Sequence, residues 1–184
     1  MKKIIFAIIL YALYNSAFAQ EIKVEKNIFG IQTGVLGLWG YNELRLKNNL
    51  VLRSEIGIQN EVIFNGAFQK WIYLRPVMSL EPRWYYNIEK RETLEKNTLY
   101  NSANFLSLKI KFTPDWFVLS SNGAVAPVNS FSFIPTWGIR RNLGQKINYE
   151  TGIGVGYKYY ISNPSYNSDI ALNIHLRIGM DFRK

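Results

Sequence analysis

One histidine and a set of strand-borne charges carry whatever chemistry this chain holds. His175 is the single histidine among 184 residues, and at a spacing of two it shares a face with Asn173, Arg177 and Asp181. A hydrolase built on it would need a nucleophilic serine or a second base within hydrogen-bond reach. Ser79, Ser107 and Ser132 lie in strand-like segments, yet sequence alone places none of them there. A hydrogen-bonded interior histidine is the plainer reading. With one histidine and no cysteine, a metal centre lacks its usual ligands, and no cofactor is implied. Gly152-x-Gly154-x-Gly156 falls in mid-strand and not between a strand and a helix, so it is not a nucleotide loop.

The second chemical feature is a face of mixed charge. Arg53, Glu55, Glu61, Arg75, Glu81, Arg83, Lys109, Lys111, Arg140, Glu150, Lys158, Arg177 and Asp181 all alternate with apolar neighbours. Enclosed, they can pair as a network that fills and stiffens a barrel, or they can line a narrow pore. Eight strands leave little lumen beyond their own side chains, which favours the filled reading.

The elements that must hold these residues are strands. From Ile170 to Phe182 every even position is apolar and no odd one is a large apolar residue, the period of a strand with one face hidden from water. The same alternation runs through Leu50–Phe64, Trp71–Asn87, Phe105–Thr113, Phe131–Arg141 and Ile147–Ile161. A first strand starts at Phe29, and its phase slips around Gly37 and Gly40 before Leu44 and Leu46, which reads as a glycine bulge. Trp116–Ser120 is a short fifth strand that brings the count to eight. Asn65-Gly66, Pro114-Asp115 and Asn142–Lys146 are turns, and the charged stretch Ile88–Ala103 reads as a solvated excursion without a partner.

Lys2 and Lys3, the apolar run Ile4–Leu13 and Ala17-Phe18-Ala19 read as a signal peptide over residues 1–19. Residues 20–27 then form a short lead and residues 28–184 one barrel domain. The formal net charge of +9 is scattered and makes no basic run, which argues against nucleic acid. Absence of cysteine excludes cystine-stapled folds, and no later stretch is apolar enough for a spanning helix. The expected fold is all-β, an eight-stranded antiparallel up-and-down transmembrane β-barrel with lipid on its apolar side.

Interior glycines on the polar face of Ile147–Ile161 and paired charges favour that reading over a soluble barrel. So do two aromatic belts. One would hold Trp71, Phe112, Trp116, Tyr149 and Phe182, the other Trp39, Tyr41, Trp84, Tyr86, Tyr157 and Tyr159. Short turns and both termini would share the periplasmic side, and 88–103, 121–130 and 162–169 the outer side. Pro76, Pro82 and Pro135 inside strands count against it.

Leu80-Glu81-Pro82-Arg83-Trp84-Tyr85-Tyr86-Asn87, Trp137-Gly138-Ile139-Arg140-Arg141 and Gly152–Tyr160 resemble segments of small outer-membrane β-barrel proteins of the Bacteroidota, over about residues 28 to 183. The resemblance implies a barrel in the outer membrane and no established activity. Its partners would be outer-membrane lipid, the barrel-assembly machinery and a surface ligand or protein reached through the loops. Arg183 and Lys184 after Phe182 depart from the aromatic ending common among such barrels. The rivals are a lipid-modifying hydrolase or acyltransferase using His175, and a soluble periplasmic barrel for an apolar ligand.

Overall fold

The computed structural model describes residues 24–65, 69–116, 119–120, 128–161 and 168–183. The signal segment 1–19 and the start of the lead lie outside them, as do the side chains of Glu61 and Trp71. The strands are β1 (Asn27–Gly34), β2 (Gly37–Lys47), β3 (Leu50–Asn65), β4 (Gln69–Trp84), β5 (Asn104–Thr113), β6 (Leu119–Ser120), β7 (Ser130–Leu143), β8 (Ile147–Tyr160) and β9 (Ser168–Arg183). Every pairing is antiparallel, and β3–β4 together with β1–β9 close the sheet into a barrel. β6 pairs with β4 in the same sense as β5, Leu74 facing Leu119 where Met78 faces Phe112, so β5 and β6 make one stave. The barrel has eight staves.

Two strand assignments change. What reads as one bulged first strand is the hairpin β1–β2: the chain reverses at Val35-Leu36, with Gly34 opposite Gly37. Gly37 sits at a φ of 156°, and a Cβ there would stand 2.1 Å from the Ile58 carbonyl oxygen. Trp116–Ser120 is no separate stave, since its last two residues only prolong β5. One strand was gained and one lost.

The reversal also re-sorts the ends. The start of β1 and the end of β9 share one rim, the terminal rim, with the turns 48–49 and 144–146 and the whole connection 85–103. The opposite rim carries the 35–36 corner, the ends of β3, β6 and β8 and the starts of β4, β7 and β9. Segment 85–103 therefore lies with the termini and not across from them. It is no solvated excursion either. On both sides of α1 (Ile88–Thr93) it packs inward, burying Tyr85 and Ile88 at its start and Asn101, Ser102 and Ala103 at its end. Tyr85, Ile88, Ala103, Val24, Val51 and Phe105 form an apolar cluster there.

Each troublesome proline falls where one neighbouring ladder skips. Pro76 lies between the last β5 pair and the first β6 pair, Pro82 between Leu80↔Ile110 and Arg83↔Ser107, and Pro135 between Phe133↔Tyr157 and Thr136↔Gly154. On those edges a missing N–H costs no ladder bond.

The outer face is apolar: Ile170, Leu172, Ile174, Leu176 and Ile178 are 53–68% exposed. The inner face is polar and packed by a simple device. Gly30 faces Tyr41, Gly57 faces Trp39, Gly138 faces Phe105 and Gly152 faces His175 across neighbouring strands. A Cβ on any of these glycines would stand 2.3–2.6 Å from the facing ring, so each ring lies flat on a strand that offers no side chain.

Candidate functional site

Alternation along β2, β3, β4, β5, β7, β8 and β9 turns one set of charged side chains into the lumen, and closure brings them together. Arg53 reaches Glu55 at 2.7 Å, Glu43 at 3.0 Å and Glu150 at 3.7 Å. Arg83 meets Glu150 at 2.8 Å and Glu81 at 3.1 Å, and lies 3.5 Å from Glu43. Arg140 binds Asp181 at 2.5 Å and Glu150 at 3.2 Å. Lys109 and Arg177 converge on Glu55, at 2.6 and 2.8 Å. The acids Glu43, Glu55, Glu81, Glu150 and Asp181 thus meet the bases Arg53, Arg83, Lys109, Arg140 and Arg177, five against five. Balance and dense hydrogen bonding are what make enclosure of so much charge tolerable.

Neutral groups complete the cluster. Tyr41 hydroxyl donates to Asp181 and accepts from Arg140 Nη2 at 2.8 Å. Its ring lies 3.6 Å under the Arg53 guanidinium. Gln32 accepts from Arg53 and donates to Asn148, both at 2.7 Å. At the terminal rim Asn101 Nδ2 donates to Glu43 at 2.8 Å and Tyr85 hydroxyl at 3.1 Å. Asn101 holds a φ of 60°, a backbone state that asparagine accepts more readily than most residues. Burial, then the Glu43 carboxylate, keeps the Tyr85 phenol well above its ordinary pKa, so it stays a donor. The 85–103 connection is thereby fastened to the network.

Of the residues expected in the lumen, Arg53, Glu55, Glu81, Arg83, Lys109, Arg140, Glu150, Arg177 and Asp181 lie in this cluster. Arg75 lies nearer the opposite rim and donates to the Val128 carbonyl at 2.8 Å, while Lys158 stands 5.3 Å from the Tyr160 ring. Glu43 was not among the expected residues and is the most connected acid. Its alternation with Leu44 and Leu46 was the signal. The aromatics divide otherwise than expected. Trp39 and Tyr41 are inside, 3% and 5% exposed, because the Val35-Leu36 reversal puts β2 in the opposite phase to a continued β1. Arg177 stacks 3.9 Å over Trp39. Trp84, Tyr86, Trp116, Tyr157, Tyr159 and Phe182 are exposed outside, and Tyr149 is half-buried. Trp84, Tyr86, Tyr149 and Phe182 lie toward the terminal rim, with Trp116, Tyr157 and Tyr159 toward the other.

His175 Nδ1 lies 3.4 Å from Asn173 Oδ1, and Nε2 lies 3.4 Å from Glu150 Oε1 without hydrogen-bond geometry. Ser79 donates to Glu55 at 3.0 Å and Ser107 to Glu81 at 2.7 Å, and no hydrogen bond joins His175 to Ser79, Ser107 or Ser132. A serine–histidine relay is therefore not assembled in this geometry. Among the described residues no group of three or more metal-ligating side chains converges. Comparison with family models, curated proteins and solved structures found no match.

Proposed function

We propose that this chain is a small outer-membrane β-barrel with a structural or surface-interaction role, its lumen filled by the ion network. In that reading residues 1–19 direct export, assembly machinery inserts the barrel, and outer-membrane lipid covers the apolar face. The observation that carries the proposal is the inverted distribution of polarity. Arg53, Glu43, Glu81, Arg83, Arg140, Glu150 and Asp181 are fully buried at 0% exposure, while Leu172, Ile174 and Leu176 face outward at 60–65%. A protein solvated by water would leave that apolar band uncovered over most of its circumference, whereas hydrocarbon covers it at no cost. The motifs resembling small barrels of the Bacteroidota agree with this placement.

With the termini in the periplasm, connection 85–103 plugs the periplasmic mouth. The loops 114–129 and 161–167, largely outside the described residues, would face outward as a binding surface. Cell fractionation with gel mobility before and after boiling tests the reading. Detergent-dependent extraction and heat-modifiable migration are expected. Release by osmotic shock, with no mobility shift, would refute it and leave a soluble barrel.

A further inference from the structure

Two arginines meet on the outer side of the terminal rim, away from the lumen network. Arg140 is buried inside, so alternation along β7 turns Arg141 to the outer face, at the head of a row that continues toward the opposite rim through Ile139, Trp137, Pro135 and Phe133. Arg91 comes to the same place from α1. Its Nη2 donates to the Asn97 carbonyl at 2.9 Å, and Asn97 Nδ2 donates at 3.4 Å to the carbonyl of Asn142, the residue after Arg141. The guanidinium groups lie close enough for the charge of Arg91 to act on Arg141.

Their hydrogen bonds go to neutral acceptors. Arg141 donates from Nη1 to the Arg140 carbonyl at 2.7 Å and from Nη2 to Asn104 Oδ1 at 2.6 Å. Among the described residues no carboxylate forms an ion pair with either arginine. Glu89, Glu92 and Glu95 of the same connection are exposed to solvent, where salt screens them. Each guanidinium has five N–H donors, so both retain donors for an outside anion, and an anion placed between them relieves their mutual repulsion.

The neighbours mark the depth of the pair. Asn104 Nδ2 donates at 3.3 Å to the Tyr86 hydroxyl, and Trp137 Nε1 donates to the same hydroxyl at 3.0 Å. Trp84 packs edge-on against Tyr86, ring centroids 6.0 Å apart, and Tyr149 faces Arg141 across the β7–β8 ladder. Rings that bury an apolar body and satisfy one polar atom suit the boundary between hydrocarbon and head groups. Below that boundary the exposed Trp137 and Phe133 continue the row.

We propose that Arg91 and Arg141 together hold the phosphate of an anionic glycerophospholipid, its acyl chain lying along Ile139, Trp137 and Phe133. The inference rests on the outer-membrane reading, since it draws the ligand from the leaflet at the terminal rim. The phosphate takes charge-assisted hydrogen bonds from both side chains. A zwitterionic head is disfavoured, because it brings an ammonium group toward a pair of cations.

The test uses the full chain in phosphatidylcholine vesicles and reads quenching of tryptophan fluorescence by lipid brominated in its acyl chains. At equal mole fraction brominated phosphatidylglycerol should quench more than brominated phosphatidylcholine, with a preference of about tenfold or more at the site. Arg91→Gln with Arg141→Gln should make the two lipids quench alike, and unchanged heat-modifiable migration checks that this variant is folded. Arg91→Gln alone, on the connection and not in a stave, should lower the preference severalfold even if the double variant fails to fold. Equal quenching by the two lipids in the parent overturns the proposal, as does a preference that persists in the folded double variant. Loss of the preference on adding inorganic phosphate overturns the lipid as occupant and leaves a site for a free anion. A heat-modifiable barrel without the preference loses the site and keeps the membrane reading, whereas a protein soluble without detergent loses both.

Discussion

Replacing Glu43 with glutamine perturbs the network at its most connected acid while keeping the side-chain shape. Its carboxylate accepts from Arg53 Nη1 at 3.0 Å, Arg83 Nη1 at 3.5 Å, Tyr85 hydroxyl at 3.1 Å and Asn101 Nδ2 at 2.8 Å. Glutamine keeps one oxygen, enough for two of these donors, and turns an NH2 toward the rest. Two bonds to charged donors at about 1.5–3 kcal/mol each give a loss of about 3–6 kcal/mol. Removing one partner of a buried ion pair independently gives about 3–5 kcal/mol. The measurement is urea unfolding in non-ionic micelles, followed by fluorescence of the five tryptophans. Glu43→Gln leaves four acids facing five bases, whereas Glu43→Gln with Arg53→Gln restores four against four. The double variant should therefore fall short of the summed single losses by about 0.5–3 kcal/mol. A single variant within about 0.5 kcal/mol of the parent would refute the reasoning, because it would mean that water and not protein solvates these charges.

The other predictions probe the packing, the plug and the outer face. Gly138→Val pushes a branched side chain into the space of the Phe105 ring, where a Cβ alone would stand 2.3 Å from Cζ; it should cost about 1–3 kcal/mol in the same unfolding assay, and adding Phe105→Ala should relieve the clash. Tyr85→Phe removes a neutral donor from the Glu43 carboxylate and should lower stability by about 1.5–3 kcal/mol with an unchanged denaturant slope. Ile174→Arg, on the exposed outer face, should lower stability in lipid vesicles by about 2–4 kcal/mol. A water-exposed surface would absorb the same change within about 0.5 kcal/mol, so a neutral result would speak for the soluble barrel.

Period-two alternation made the face of nearly every strand legible, because an inward position in this barrel meets the polar, packed lumen and an outward one lies on the exposed apolar face. It failed at the β1–β2 hairpin for a local reason. Tight hairpins are usually marked by Asn-Gly or Gly at the corner, and here the corner is Val35-Leu36, with the glycines displaced to Gly34 and Gly37. An apolar corner between glycines looks the same in sequence as a bulge. The error propagated, since it put Trp39 and Tyr41 on the outer face and sent 85–103 to the wrong rim. The eight-stave total survived because Pro114-Asp115 broke one stave into two apparent strands. The prolines looked damaging for a similar reason. Sequence shows that a donor is missing but not whether the ladder on that edge is already interrupted.

Which charges meet is a different kind of question from which face they occupy. Alternation sends Arg53, Arg83 and Glu150 inward, but the pairing of Arg83 with Glu150 spans 67 positions and depends on the tilt that closes the barrel. Charge arithmetic can narrow it. Arginines and lysines outnumber acids among the inward positions expected from alternation, and a closed interior does not tolerate that excess without a further acid. Glu43, in phase with Tyr41 once the hairpin is recognised, supplies it. The register that turns these side chains inward is thus also what sets five acids against five bases.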